Sequence, residues 1–144
     1  MTLLSGFNPR LRSALAAKTA QAYVPAAAAA DATTEWPIFY AEKDCRLLRV
    51  SIIPQAAITG ADTNSMTLNV VDKALVGVGT TVLGTKAYTS GVNVIAFNDD
   101  TLVAETAAKT VAAGAVVNLE RAKVGTGLAM PQLLVTVTYE LIGQ

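Results

Sequence analysis

The stretch "QLLVTVTYELI" near the C-terminus constrains the fold more than any other part of the chain. Leu133, Val135, Val137, Tyr139 and Leu141 fall on one side of an extended backbone, and Leu134, Thr136, Thr138 and Glu140 fall on the other. Alternation with period two, centred on β-branched residues, is the pattern of a half-buried strand. A chain that ends in such a strand must supply further strands to pair with it.

The same period recurs from residue 34 onward. "TEWPIFYA" reads as a strand in which Pro37 marks an edge position or a bulge, because proline cannot donate to a ladder. "CRLLRVSII" places Leu48, Val50 and Ile52 on one face, and "SMTLNVVD" turns Met66, Leu68 and Val70 inward. "GVGTTVLGTKAY", "VNVIAFN" and "AVVNLERAKVG" add further strands, and "TLVAETAAKTVAAG", where alanine and threonine pull in opposite directions, reads as a short strand and loop. Turn chemistry separates them in "PQAAITGADTN", "TSG", "DD" and "TGLAMP". About eight strands result, a count that suits an all-β sandwich or barrel. Connections of very unequal length favour a jelly-roll or Greek key over an up-and-down meander. With 144 residues, 52% of them apolar, the chain can fill one core.

Residues 1–33 differ in texture and form an N-terminal arm, with the β body over 34–144. Residues 1–30 carry Arg10, Arg12 and Lys18 and no acid, for a charge of +3; residues 31–144 carry eight basic and eleven acidic groups, for −3. A basic tail on a mildly acidic body is suited to docking on an acidic surface. Lys18, Gln21 and Pro25 interrupt the apolar run, so neither a secretory signal nor a membrane span fits. "NPRLRSALAAKTAQAY" has Pro9 at a helix start and Leu11, Leu15 and Ala22 along one stripe, while Pro25 biases Val24 toward extended backbone. The arm is therefore expected to be extended and partly helical. "PAAAAA" offers little side chain to bury, which makes a slim connector able to pass close to another subunit. Phe7, Arg10, Arg12, Leu15, Lys18 and Tyr23 on the arm, and Trp36 at its root, are the candidate partner-binding residues.

Residue types exclude much chemistry. Histidine is absent, which removes Ser-His-Asp triads and histidine-ligated zinc. Cys45 is the sole cysteine and reads as a small buried hydrophobe, so no intrachain disulfide forms. Zero net charge argues against a nucleic-acid binder. Asp99 and Asp100 point to opposite sides of an extended chain and read as a solvated turn. Asp62, Asn64 and Asp72 lack the spacing of a calcium loop, and the glycines of "GVGTTVLGT" lack the lysine and following helix of a phosphate loop. Arg46 and Arg49, three apart, cannot share a face of a regular strand, which leaves one exposed and one paired with a carboxylate at an interface. Trp36, Phe39 and Tyr40 read as core or interface aromatics rather than a sugar platform.

"RLLRVSIIPQAAITGADTNSMTLNVVD", "GTTVLGTKAYTSGVNVIAFN" and "GTGLAMPQLLVTVTYEL" resemble small jelly-roll decoration, or cement, proteins of tailed-bacteriophage heads. The resemblance covers about residues 34–144 and is one of texture rather than of an invariant motif. It implies a non-enzymatic virion protein without cofactor or metal, located on the outer capsid surface. It implies two partners, the major capsid protein and further copies of itself, as a homotrimer or other homo-oligomer, with no nucleic acid and no membrane. Two other functions compete: a carbohydrate- or receptor-binding jelly-roll at a fibre or tip, and a carboxylate-only hydrolase such as a glycosidase.

Overall fold

A computed structural model describes residues 17–143. Two antiparallel sheets face each other, built from β1 (Lys18–Val24), β2 (Thr34–Tyr40), β3 (Cys45–Pro54), β5 (Ser65–Asp72), β6 (Thr81–Ala87), β8 (Asp100–Val103), β9 (Lys109–Val111), β10 (Val116–Val124) and β11 (Leu133–Leu141). One sheet runs β1-β11-β3-β8, with β9 also pairing to β3; the other runs β2-β10-β5-β6. The two-residue strands β4 (Ile58–Thr59) and β7 (Asn93–Val94) pair with each other at one end.

The pairings nest inside one another. Lys18 faces Tyr139, Thr34 faces Arg121, Cys45 faces Val111, Ile52 faces Asp100 and Asp72 faces Thr81. The chain is thus one long hairpin with its tip at residues 73–80. That hairpin is wrapped so that β11 also pairs β3 and β10 also pairs β5. This is the jelly-roll, and the wrap explains why neighbours in each sheet are mostly far apart in sequence.

Alternation places the core between the sheets. Leu133, Val135 and Val137 of β11 are buried, as are Leu47, Val50 and Ile52 of β3, Met66, Leu68 and Val70 of β5, and Val117 and Leu119 of β10. Pro37 lies on the edge strand β2, beside a register shift that leaves Ile38 without a facing partner, so both expected roles of this proline are met.

Three sequence expectations need correction. The body begins earlier than residue 34, because Lys18–Val24 is strand β1, held along its length by β11. Its inward residues Ala20, Ala22 and Val24 alternate with exposed Thr19, Gln21 and Tyr23. The same alanines read as helix formers in isolation; the edge of β11 decides the matter, since local propensity yields to tertiary pairing. The helix expected over residues 8–23 is therefore replaced by strand in its second half, and its first half lies outside the described residues. In β3 the buried residue is Leu47 and not Leu48, because a bulge at Leu48 shifts the register between Tyr139 and Thr138. "VNVIAFN" contributes only the two-residue β7, and "TLVAETAAKTV" is two short strands flanking a 3-10 turn at Glu105–Ala107.

Candidate interaction surface

The alanine run between β1 and β2 crosses the end of the sandwich and lies against the β10–β11 connection. Ala27 and Met130 exchange two backbone hydrogen bonds, each 2.9 Å. Beneath them sits Arg121, a fully buried arginine on the inward face of β10. Its guanidinium donates to the carbonyls of Asp31 and Ala29, each at 3.1 Å, and of Leu128 at 2.6 Å. Gly127 is in the left-handed region, and a Cβ there would lie 1.9 Å from the Ala29 carbonyl oxygen. Alanines suit this segment because backbone, not side chain, must approach Arg121 and Gly127. The sequence reading missed Arg121; the signal was a charged residue at the inward parity of Val117 and Leu119.

Most other charged and polar groups serve the fold. The Leu48 bulge turns Arg46 and Arg49 to the same outer face. Arg46 pairs with Glu140 and Arg49 with Asp99, and Arg49 also donates to Ser51 at 3.0 Å and Thr101 at 2.8 Å. The expectation that one arginine is exposed and one paired is thus corrected: both are paired within the chain. Asp99 and Asp100 do point apart, but neither is a bare turn residue. Burial pushes the Asp99 carboxyl up, and hydrogen bonds from Arg49 and Ser51 together with the Arg49 charge outweigh it, holding the group below its ordinary value. Asp100 pairs with Lys86 and accepts a 2.8 Å hydrogen bond from the buried Tyr88 hydroxyl. Burial first, then the hydrogen bond and charge of Asp100, hold the Tyr88 phenol far above its ordinary value. The Lys86 ammonium stands 5.7 Å from the Tyr88 ring centre, in cation–π range.

Asp72 accepts the N–H of Ala74 two residues on, a local turn role as expected, whereas Asp62 and Asn64 accept the N–H groups of Ser90 and Thr126 and so tie distant loops together. Burial, followed by the charges of Asp44 and Asp72, pushes the Cys45 thiol up, which suits a packed hydrophobe and not a nucleophile. Among the described residues no three His, Cys, Asp or Glu side chains converge as a metal site.

The surface carries apolar groups that the core does not use. Tyr23, Leu134 and Ile53 stand side by side across β1, β11 and β3 on the outer face. With Phe97 they border a cleft of about 290 Å³, to which Gln55 and Gln132 add polar groups. Tyr23 is 74% and Phe97 73% exposed. Phe97 has φ 64, a conformation rare for a bulky residue, and its N–H bonds to the Pro54 carbonyl at 2.8 Å. At the hairpin tip Leu75, Val76 and Val78 are exposed as well. A second cleft, about 470 Å³, opens between the β1 and β2 edges; Lys18, Ala20, Phe39, Tyr40 and Tyr139 are among its walls. The Phe39 and Tyr139 rings meet there at 4.8 Å.

Of the candidate partner-binding residues, Phe7, Arg10, Arg12 and Leu15 lie outside the described residues. Lys18 lines the mouth between the sheets, whereas Tyr23 is on the outer face at the other end of β1. Trp36 is half-buried on β2, opposite Leu119 and packed against the core. The structure does not bring these three together.

The chain is similar in fold to solved virus structures. One is a structure of infectious bursal disease virus Gx strain, with 10% identity, a TM-score of 0.35, and 89% of this chain matched to 32% of that one. Another is the infectious bursal disease virus VP2 subviral particle, with 12% identity, a TM-score of 0.28, and 89% of this chain matched to 38% of that one. The chain therefore spans about a third of the length of the chains it matches. The likeness is weak and lies in β-rich architecture. No family model and no curated protein matches the sequence.

Proposed function

We propose that the protein is a structural component of a phage head, of the decoration type, which lies on the outer capsid surface and bridges capsid subunits through its leader and its β body. The observation that carries this reading is the strand order, a jelly-roll wrap of one five-stranded and one four-stranded sheet in a chain that joins a basic leader to it at β1. Jelly-rolls recur in viral capsid and lectin domains, which sets the two function classes to be weighed. The charged groups described above are spent on turns, on ion pairs and on the Arg121 clasp, while large apolar side chains stand exposed. That division suits adhesion rather than catalysis. Many copies acting together hold a shell firmly even when each contact is weak.

The test is co-sedimentation with purified capsids of the full chain and of a chain beginning at Ala17. The full chain is expected to pellet saturably, and the shortened one, with β1 intact, to pellet far less. Failure of the full chain to pellet contradicts the proposal. A second reading, a carbohydrate- or receptor-binding module, is favoured by one observation. The outer cleft sets exposed Tyr23 and Phe97 beside Gln55 and Gln132, the mix of flat apolar and amide groups that a sugar needs. It moves that reading away from Trp36, which is packed against the core. Saturable glycan binding that is lost in Phe97→Ala supports it; a glycan array without binding removes it.

A further inference from the structure

The two sheets have four outer edges, and three of them carry devices that block pairing with another chain. On β2 these are Pro37 and the bulge at Ile38. On β6 a register shift leaves Leu83 extra, and Lys86 is near the strand end. The third edge is the side of β3 that faces away from β11, which is covered by β8 and β9, four and three residues long and interrupted by the 3-10 turn. Short strands, prolines, bulges and charges are the means by which soluble proteins keep sheet edges from pairing.

The β1 edge has none of these beyond its first residue. Its seven residues keep one unbroken register with β11. They contain no proline and no glycine, and the only charge is Lys18 at the start. Among the described residues no strand pairs with the side of β1 that faces away from β11. Alternate N–H and C=O groups of an antiparallel strand point to each side, so this edge presents a row of donors and acceptors.

We propose that this edge is a self-pairing surface, in which β1 of a second copy adds antiparallel to β1 about a two-fold axis at Gln21. The sequence of the strand is complementary to itself in that arrangement. Thr19 stands opposite the Tyr23 of the second copy, a β-branched and aromatic pair of the kind that stabilises sheets. Ala20 stands opposite Ala22, so no bulk blocks approach. Lys18 stands opposite Val24, and the two Lys18 charges end up roughly 20 Å apart at ~3.4 Å per residue, about two screening lengths at physiological salt, so their repulsion is largely screened. Zero net charge removes a general barrier to association. A two-fold pair is the commonest closed symmetry, and an edge contact of this size belongs to the weak class of interfaces. The inference goes beyond the function proposed above: it takes up the self-association that the sequence resemblance implies and names a surface for it.

Sedimentation velocity over a concentration series tests it on the full chain. Gln21 is exposed and lies on the axis, so Gln21→Lys and Gln21→Glu each bring two like charges together. Each variant is expected to associate about tenfold more weakly than wild type, a change of ~1.4 kcal/mol, and an equal mixture of the two is expected to recover association. Far-ultraviolet circular dichroism checks that both remain folded. Should either variant misfold, Gln21→Cys serves instead: with Cys45 buried, mild oxidation is expected to trap a covalent dimer faster than it does in Thr85→Cys on the β6 edge. A wild type that stays monomeric, variants that associate as wild type does, a mixture no better than its parts, or equal trapping at both cysteines overturns the inference. Capsid co-sedimentation is a separate readout, so failure here leaves the test of the proposed function standing.

Discussion

Arg121 shows how one side chain fixes the path of two connections. Its guanidinium holds carbonyls from the β1–β2 segment and from the β10–β11 loop, at a site with no solvent to replace it. Arg121→Ala removes the donor from three carbonyls and opens a cavity, and is expected to cost about 2–5 kcal/mol. Chemical denaturation measures it, and a loss below ~1 kcal/mol contradicts the assigned role. Arg121→Lys is expected to rescue little, since a single ammonium does not reproduce the fork that spans both connections. Tyr88 governs the alkaline limb. Its phenol stays protonated in the fold well above the ordinary value of 10.0. Its contribution to stability is therefore complete below that pH and is lost as pH rises above it, because the unfolded chain then ionises first. Denaturation midpoints are expected to fall with rising pH beyond about 10, and Tyr88→Phe to flatten that fall. An unchanged slope in Tyr88→Phe counts against the assignment.

At the scale of elements, β1 is an edge strand whose loss reaches beyond its own residues. A chain beginning at Thr33 lacks β1, the buried Val24 and Ala27, and two of the three carbonyls that hold Arg121. It also exposes the long apolar strand β11 along one edge. Thermal unfolding followed by circular dichroism is expected to show no cooperative transition for this chain, and a transition close to that of the full chain for one beginning at Ala17. A cooperative melt from the Thr33 chain contradicts the account. β11 was legible in the sequence because its alternation is unbroken, and β5 and β10 for the same reason. β1 was not, because alanine serves helix and strand alike and only the vacant side of β11 selects the strand. The Leu48 bulge was equally silent: a register shift depends on the facing strand, and without it the pairing of both Arg46 and Arg49 on one face cannot be foreseen. The turn role of Asp72 was legible, since it needs only the local N–H of Ala74, whereas Asp62 and Asn64 tie their loop to Ser90 and Thr126, partners that only the fold brings near.

For the whole molecule, the nested hairpin sets where things face. Residue 18 and residue 141 pair closely with one end of the sandwich, the end that also bears the apolar tip at Leu75, Val76 and Val78. The outer face of the β1-β11-β3-β8 sheet carries the Tyr23–Phe97 cleft at its other end. The exposed aromatics of that face come from β1 and from the connection after β7, places where sequence periodicity is weak, so the surface was less legible than the core. The measurement that tests the central claim most directly is electron cryo-microscopy of purified heads. The account predicts jelly-roll density at regular positions on the outer capsid surface, each copy touching more than one capsid subunit. Heads that lack this density, or carry it without fixed position, contradict the account.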